Sequence, residues 1–201
     1  MPAQYDSFAR HYDKALKPFE RRFLAKWRAE TLGLLPVDAV ILEIGAGTGA
    51  NFEHYPNFRE AAASELSYGM IEFARRRCGS IRLVQSDAHA LPFPASHFDA
   101  AFATLVFCSV DEPETAFAEI VRVVKPGGRV VLLEHVRPEN WLGPVFDLMS
   151  LLTSRVIDDH FDRRTAEIAH KGGLDVIEVR KKVFGIVNLI VCRTPHTQLL
   201  S

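Results

Sequence analysis

Residues 40–49 read VILEIGAGTG, an apolar run that carries one acid, Glu43, and then breaks into three alternating glycines. An apolar run of this length is typical of a strand buried on both faces of a sheet. Glycine at every second position lets the backbone turn sharply and pass close to a ligand. The segment therefore predicts a strand-to-helix turn that binds a nucleotide-like cofactor.

The glycine motif alone does not choose between cofactors. Gly45, Gly47 and Ala50 also satisfy the GxGxxG/A pattern of dinucleotide-binding folds. A nicotinamide-dependent oxidoreductase therefore stays open at this point, and so does a cofactor-binding module without catalysis.

Length and composition predict one domain over residues 1–201, since the chain has 48% hydrophobic residues. Lys plus Arg (24) nearly equal Asp plus Glu (25), so no overall positive field would recruit nucleic acid. Cys78, Cys108 and Cys192 form no CxxC pair, which indicates neither a disulfide framework nor a metal site. Without a signal-peptide pattern or a membrane-span run, we expect a cytoplasmic protein whose membrane contact is at most peripheral.

Residues 1–33 have apolar side chains at three- and four-residue intervals, interleaved with basic ones such as Lys26 and Arg28. This spacing predicts an amphipathic helical lid that packs on the domain or covers a cleft. The same basic face would also suit contact with an anionic membrane. The oligomeric state cannot be read from the sequence.

From residue 39 onward, strand patterns alternate with helical ones, which is typical of a parallel sheet with helices on its faces. A helix and two strands joined by a short connection follow, and such a connection joins antiparallel neighbours. The strands are predicted at 39–44, 60–64, 81–85, 99–105, 129–134, 174–183 and 186–192, and the late helix at 162–170.

Acidic residues follow the predicted strands where an open parallel sheet binds its ligands. Glu65 lies 20 residues beyond Gly45, the spacing at which an acid can hold a ribose diol. Asp87 ends the third strand, where it can face an adenine amino group or cap a helix. A Lys-Pro-Gly-Gly segment, residues 125–128, is predicted to end a helix and turn the chain into the fifth strand.

The ordered motifs resemble the class I S-adenosylmethionine-dependent methyltransferases. The likeness is carried by LEIGAGTG, the acid after the second strand, DAxxLPF, FD and KPGG, and it runs from about residue 5 to residue 193. It is strongest to the small-molecule branch with quinone C-methyltransferases and bacterial phospholipid N-methyltransferases. The segments GANFEHYP, CSV and EHV also look like animal membrane-associated thiol methyltransferases.

The resemblance implies a Rossmann-like, doubly wound α/β fold with seven strands, mostly parallel, an antiparallel last strand and helices on both faces. It implies S-adenosyl-L-methionine as cofactor, with Glu65 on the ribose, Asp87 and Ala88 at the adenine amino edge, and Leu66 and Met70 beside the ring. The remaining implied contacts are to the methionine portion and the sulfonium: Tyr12, Glu43, Gly45, Ala46, Gly47, Gly49 and Thr104.

The methyl acceptor is predicted to be small and lipophilic, because residues 138–160 form an apolar insert after the fifth strand. A phospholipid amine or a thiol is favoured and a quinone is the further choice. His135 is the candidate general base, since imidazole titrates near neutral pH, and it equally suits a hydrogen bond to a loop. Asp159 and His160 are second choices, and Cys108 is expected to pack.

Overall fold

A computed structural model describes residues 24–135 and 164–196 of the chain. The strands are β1 (Val40–Ile44), β2 (Glu60–Glu65), β3 (Arg82–Gln85), β4 (Phe98–Thr104), β5 (Val124–His135), β6 (Asp175–Lys182) and β7 (Val187–Arg193). The helices are α1 (Ala25–Leu32), α2 (Tyr68–Ala74), α3 (Pro113–Val123) and α4 (Thr165–Lys171), and short 3-10 turns occupy Phe52–His54 and Val183–Gly185.

All seven strands form one sheet in the order β3-β2-β1-β4-β5-β7-β6. The first five are parallel, and β7 runs antiparallel between β5 and β6. The predicted α/β fold with an antiparallel last strand is confirmed. The predicted hairpin is also present, with Val183–Gly185 making the short connection that only antiparallel neighbours allow.

The central strands are apolar or small because helices cover both faces of the sheet. Every residue of β1 is buried, as the continuous apolar run predicts. The sequence of β2, EAAASE, has low strand propensity, yet its four middle residues are buried between β1 and β3. Its position in the sheet, rather than its intrinsic preference, makes this segment a strand.

The Lys-Pro-Gly-Gly segment lies inside β5, which corrects the predicted turn before a strand at residue 129. Helix α3 ends at Val123 and β5 begins at Val124. The register between β4 and β5 shifts after the pair Phe98 and Val124. Gly127 takes a φ of +71° within the shifted segment. The glycines therefore form an irregularity in the strand, which other side chains would resist.

Two apolar layers enclose the sheet. Helix α1 packs on one face through Trp27 and Leu32, and the end of α2 lies on the same face. Helix α3 packs on the other face with residues at helical spacing, Ala116, Phe117, Ile120 and Val123, and α4 lies beside it. No helix within the two described ranges is both long and apolar enough to cross a membrane.

Candidate cofactor and acceptor site

The candidate site lies where β1 neighbours both β2 and β4, because the strand order reverses there. Open α/β sheets bind their ligands at the carboxyl ends of the strands beside such a reversal. The turn after β1, residues 45–49 and hereafter the glycine loop, has a positive φ at each glycine: +66°, +56° and +80°. Hydrogen bonds pin its backbone, from Ala46 N–H to the Ser64 carbonyl and from Gly49 N–H to the Ala46 carbonyl, both 2.9 Å. The loop is therefore held in place before any ligand binds.

The three glycines of this loop have different surroundings. A Cβ on Gly45 would lie 2.6 Å from Val106 Cγ2, and one on Gly49 would lie 2.6 Å from the Phe52 ring. A Cβ on Gly47 would meet no atom within 4 Å. Two glycines thus make room for the protein itself, whereas Gly47 presents its backbone to open space.

Glu65, at the end of β2, has its carboxylate fixed between two backbone donors. It accepts hydrogen bonds from Gly47 N–H at 2.8 Å and from Ser67 N–H at 2.9 Å. Leu66 beside it is 42% exposed, whereas Met70 on α2 is 4% exposed. The two apolar residues predicted beside an adenine ring therefore differ: Leu66 can touch a ligand, and Met70 lies in the core beneath.

Asp87, after β3, closes a tight turn rather than capping a helix. Its Oδ1 accepts a hydrogen bond from His89 N–H at 2.9 Å and lies 2.5 Å from His89 Nδ1. The backbone hydrogen bond from His89 is the main reason that the pKa of Asp87 lies below its usual value. The carboxylate, half exposed, is thus held in its charged form. Ala88 packs partly on the core.

A buried polar cluster lies behind the glycine loop and joins α1, β1 and β4; we call it the Glu43 network. Its members are Arg28, Glu43, Asn51, Tyr55 and Thr104. The Glu43 carboxylate accepts hydrogen bonds from Asn51 Nδ2 and the Tyr55 hydroxyl, both at 2.5 Å. Thr104 Oγ1 accepts from Arg28 Nη1 at 2.6 Å and from Asn51 Nδ2 at 2.9 Å. Arg28 also donates to Asn51 Oδ1 at 2.8 Å.

Burial changes the acidity of this cluster. Glu43 is fully buried, and loss of solvation raises its pKa to about 7 despite the hydrogen bonds from Tyr55 and Asn51 and the charge of Arg28. Burial and the neighbouring Glu43 raise the pKa of Tyr55 well above its ordinary value. The predicted role of Glu43 beside a cofactor is therefore indirect in this geometry, because Asn51 and Tyr55 already contact its carboxylate.

Sequence reasoning missed three members of the network: Arg28, Asn51 and Tyr55. The sequence pattern places Arg28 among the basic residues of the N-terminal helix, whereas the residue is only 5% exposed. Its position four residues after the buried Leu24 places it on the buried face of α1, and this spacing is the signal in the sequence. Asn51 and Tyr55 lie in the segment GANFEHYP, which indicates a family resemblance and no hydrogen-bonding role.

The ends of β4 and β5 form the wall beside the glycine loop. Leu105 has a φ of +59°, and its N–H donates to the Leu133 carbonyl at 2.7 Å. Val106 N–H donates to Glu134 Oε1 at 3.1 Å. His135 ends β5 and is partly buried, and Cys108 is buried, as expected for packing.

Several predicted residues lie outside the described ranges. They are Tyr12 and most of the predicted lid at 1–33, the insert at 138–160, and the second-choice bases Asp159 and His160. The structure brings the other predicted residues to neighbouring strand ends. Gly47 and Glu65 touch directly, and Ser86 N–H donates to the Glu65 carbonyl at 3.0 Å, which joins the β2 and β3 ends.

Comparison with known proteins finds similarity over the same region. A family model described as a methyltransferase domain matches residues 42–132. The demethylmenaquinone methyltransferase of Renibacterium salmoninarum is 34% identical over 140 residues, 68% of this chain and 59% of that protein. The UbiE ubiquinone/menaquinone biosynthesis C-methyltransferase of Azotobacter vinelandii is 34% identical over 121 residues, 55% of this chain and 48% of that protein.

Among solved structures, the fold matches that of a SAM-dependent methyltransferase from Thermotoga maritima, described as a possible histamine N-methyltransferase. The TM-score is 0.75 at 21% identity, covering 96% of this chain and 100% of the other. This likeness concerns the fold. The chain spans about half to three-fifths of the length of the two quinone methyltransferases it matches.

Proposed function

Because the chain belongs to the class I S-adenosylmethionine-dependent methyltransferases, we propose that it transfers a methyl group to a small lipophilic acceptor, with a quinone first. S-adenosylmethionine is the cofactor of this family. A nicotinamide-dependent oxidoreductase is disfavoured, because the matching domain and relatives are methyltransferases.

The observation that carries the proposal is the open side of the glycine loop. Gly47 takes a φ of +56° with no protein atom near its missing side chain, and its N–H is held by Glu65. A positive φ is costly for other residues and brings no packing gain at this position. Close approach of a ligand to the backbone would account for a glycine here, because Gly47 stands at the carboxyl end of β1 and its N–H contacts Glu65. An amino acid with an adenosine group would fit the donors and acceptors around it.

We assign the cofactor contacts as follows. Glu65 would accept hydrogen bonds from both ribose hydroxyls, the charged Asp87 with Ala88 would face the adenine amino group, and Leu66 would cover the ring. The methionine end would lie on the backbone of the glycine loop, including Ala46. Met70 would support the adenine pocket from the core, and Tyr12 stays a prediction.

The bound cofactor supplies a methyl carbon that positive sulfur has already activated, so the protein has mainly to align and desolvate the reactants. The Glu43 network fixes the floor of the site with donors that are already paired. Thr104 would border the sulfonium as part of that floor. His135 would take a proton from an acceptor that must lose one, because it ends β5 beside the wall formed by Leu105 and Val106.

The order of acceptors differs from the one predicted from sequence. The sequence favours a phospholipid amine or a thiol over a quinone, and the two quinone methyltransferase relatives lend those two acceptors no support. Both are named as quinone methyltransferases. A quinone precursor is lipophilic and would suit the apolar insert predicted at 138–160. We therefore place a quinone first and keep the other two as outcomes of the test.

The first experiment is calorimetric titration with S-adenosylhomocysteine. The intact chain should bind, and Glu65→Ala should bind about ten to one hundred times more weakly, since hydrogen bonds to a charged group are lost. Glu60→Ala, at the exposed start of the same strand, is the matched control and should bind normally. Absence of heat with the intact chain would sink the proposal.

The second experiment screens acceptors by release of S-adenosylhomocysteine. A demethylated naphthoquinol should give the fastest release, ahead of an alkyl thiol and phosphatidylethanolamine. If the thiol or the phospholipid gives faster release of S-adenosylhomocysteine, that compound and not the quinone is the preferred acceptor. Binding without release to any of them would favour the non-catalytic module.

Peripheral membrane contact is a separate proposal for the N-terminal segment. Of its basic residues, Arg28 is buried in the Glu43 network, whereas Lys26 is exposed. The remaining cations at 1–23 would have to supply the contact. If this proposal holds, more protein should co-sediment with anionic than with neutral vesicles. Equal binding to both, or no binding, would contradict membrane contact and support the predicted lid alone.

A further inference from the structure

A strained turn connects β4 to α3 at the wall of the site. Leu105 adopts a left-handed conformation, with a φ of +59°, which is rare and costly for a bulky side chain. Such a conformation persists only when its surroundings impose it. The turn formed by residues 105–109, hereafter the Leu105 turn, therefore needs bonds that hold it in place.

Two neighbouring residues of β5 supply such bonds. Leu133 accepts the Leu105 N–H with its backbone carbonyl, a contact that almost any residue could make. Glu134 accepts the Val106 N–H with its side chain, and that side chain is fully buried. Ser109 closes the turn from the other side, since its N–H and its hydroxyl each donate to the Val106 carbonyl at 3.0 Å. Glu134 is thus the side chain that fixes Val106.

Val106 in turn touches the glycine loop. The space in which a Cβ of Gly45 would stand is filled by the Val106 side chain, whose Cγ atoms lie 2.6 and 2.9 Å from that position. A shift of Val106 would therefore open a gap directly behind Gly45. The chain of contacts runs from Glu134 through Val106 to the loop proposed to bind the methionine end.

We propose that Glu134 is a positioning residue for the cofactor: its carboxylate holds the Leu105 turn in its strained form and so keeps Val106 against Gly45. This inference rests on the proposed function. It assigns to Glu134 an effect on the amino acid end of the cofactor and none on the adenosine end, which Glu65 and Asp87 contact from other strands.

The test compares two ligands by calorimetry: S-adenosylhomocysteine, and 5′-methylthioadenosine, which lacks the amino acid end. Glu134→Met fills a similar volume without an acceptor. This variant should bind S-adenosylhomocysteine about tenfold more weakly, and its affinity for methylthioadenosine should change by less than about twofold. Glu134→Gln keeps an acceptor oxygen and should stay within about threefold of the intact chain for both ligands.

Asp99→Ala is the matched control, because Asp99 also accepts a backbone N–H, that of Val40 at 2.8 Å, at the opposite end of the sheet. It should leave both affinities unchanged. Equal weakening of both ligands in Glu134→Met, or no weakening, overturns the inference. An intact chain that binds no S-adenosylhomocysteine instead overturns the proposed function itself.

A double variant tests the strain directly. Leu105→Gly takes a positive φ without help, so in the Glu134→Met background it should restore S-adenosylhomocysteine affinity to within about threefold of the intact chain. If the Glu134→Met protein does not fold, the double variant is measured in its place. A double variant that folds but binds weakly, or that does not fold, contradicts the inference, because glycine does not need the carboxylate.

Discussion

The two ends of the β1 and β4 pair each hold a carboxylate, and the protein treats them in opposite ways. At the amino ends, Asp99 accepts from Val40 N–H and faces Lys125 and Arg59 at 2.5 and 3.1 Å, with its side chain 27% exposed. At the carboxyl ends, Glu43 is fully buried among neutral donors and one arginine.

The outcome for acidity is opposite as well. Partial burial would raise the pKa of Asp99, yet hydrogen bonds from Lys125 and Val40 and the nearby charges lower it below its usual value. Burial dominates at Glu43 and raises its pKa to about 7. At the amino ends, solvent and two cationic side chains thus stabilise the charged form of Asp99. The end that carries the site is preorganised, at some cost in solvation.

Removing each carboxylate should give the largest difference between the two ends. Glu43→Ala leaves the buried donors of Asn51 and Tyr55 without their acceptor. It also removes the partner of the Arg28 charge, and should lower the free energy of unfolding by about 3 kcal/mol. Asp99→Ala removes partly exposed ion pairs and should cost about 1 kcal/mol. Urea denaturation at pH 4.5, where Glu43 still contributes fully and Asp99 is still charged, measures both. Equal losses would show that the burial of Glu43 brings no special cost.

The pH dependence of stability should have opposite signs at the two ends. Because the folded pKa of Glu43 is raised, its contribution is fully present below pH 4.5 and is lost as the pH rises to about 7. The loss amounts to roughly 3 kcal/mol across that window. The difference in unfolding free energy between the intact chain and Glu43→Gln should therefore fall with rising pH.

Asp99 provides the contrast. Since its folded pKa is lowered, its contribution is present above the ordinary value of 3.8 and is lost as the pH falls below it. Comparing Asp99→Asn with the intact chain should give a difference that is flat between pH 4.5 and 7. The predicted contrast between the two ends is contradicted if this difference changes with pH for Asp99→Asn between pH 4.5 and 7. It is also contradicted if the difference does not change with pH for Glu43→Gln.

The sequence predicts local features of the molecule well and long-range contacts poorly. The apolar run of β1, the glycine loop and the short hairpin are local patterns. They predict the strands and the carboxyl ends at which the candidate site lies. Arg28 was not predicted, because its partners Asn51 and Thr104 lie 23 and 76 residues away along the chain. Long-range partners of a buried cation leave no local periodicity.

The Lys-Pro-Gly-Gly segment was misplaced for a related reason. Proline and glycine are typical of turns, and nothing local distinguishes a turn from an irregularity inside a strand. The distinction comes from the neighbours: Thr194 accepts the Gly127 N–H with its carbonyl and the Gly128 N–H with its hydroxyl. Pairing with the distant end of the chain thus makes residues 125–128 part of β5.

Two matched glycines are expected to have an equally small effect on stability and to differ in binding. Gly47 and Gly79 have φ values of +56° and +53°, and a Cβ at either would meet no atom within 4 Å. Gly79 precedes β3, at the opposite end of the sheet. Each change to Ala should lower the free energy of unfolding by about 1 kcal/mol, the cost of a left-handed residue.

Binding should separate the pair. Gly47→Ala places a methyl group where the cofactor is proposed to approach the backbone. It should weaken the binding of S-adenosylhomocysteine about tenfold, which corresponds to roughly 1.4 kcal/mol of binding free energy. Gly79→Ala should bind like the intact chain, since its methyl group lies away from the carboxyl ends. Calorimetry on both variants measures this. Equal binding by the two would mean that the open space beside Gly47 does not hold the cofactor, because the backbone strain is the same in both.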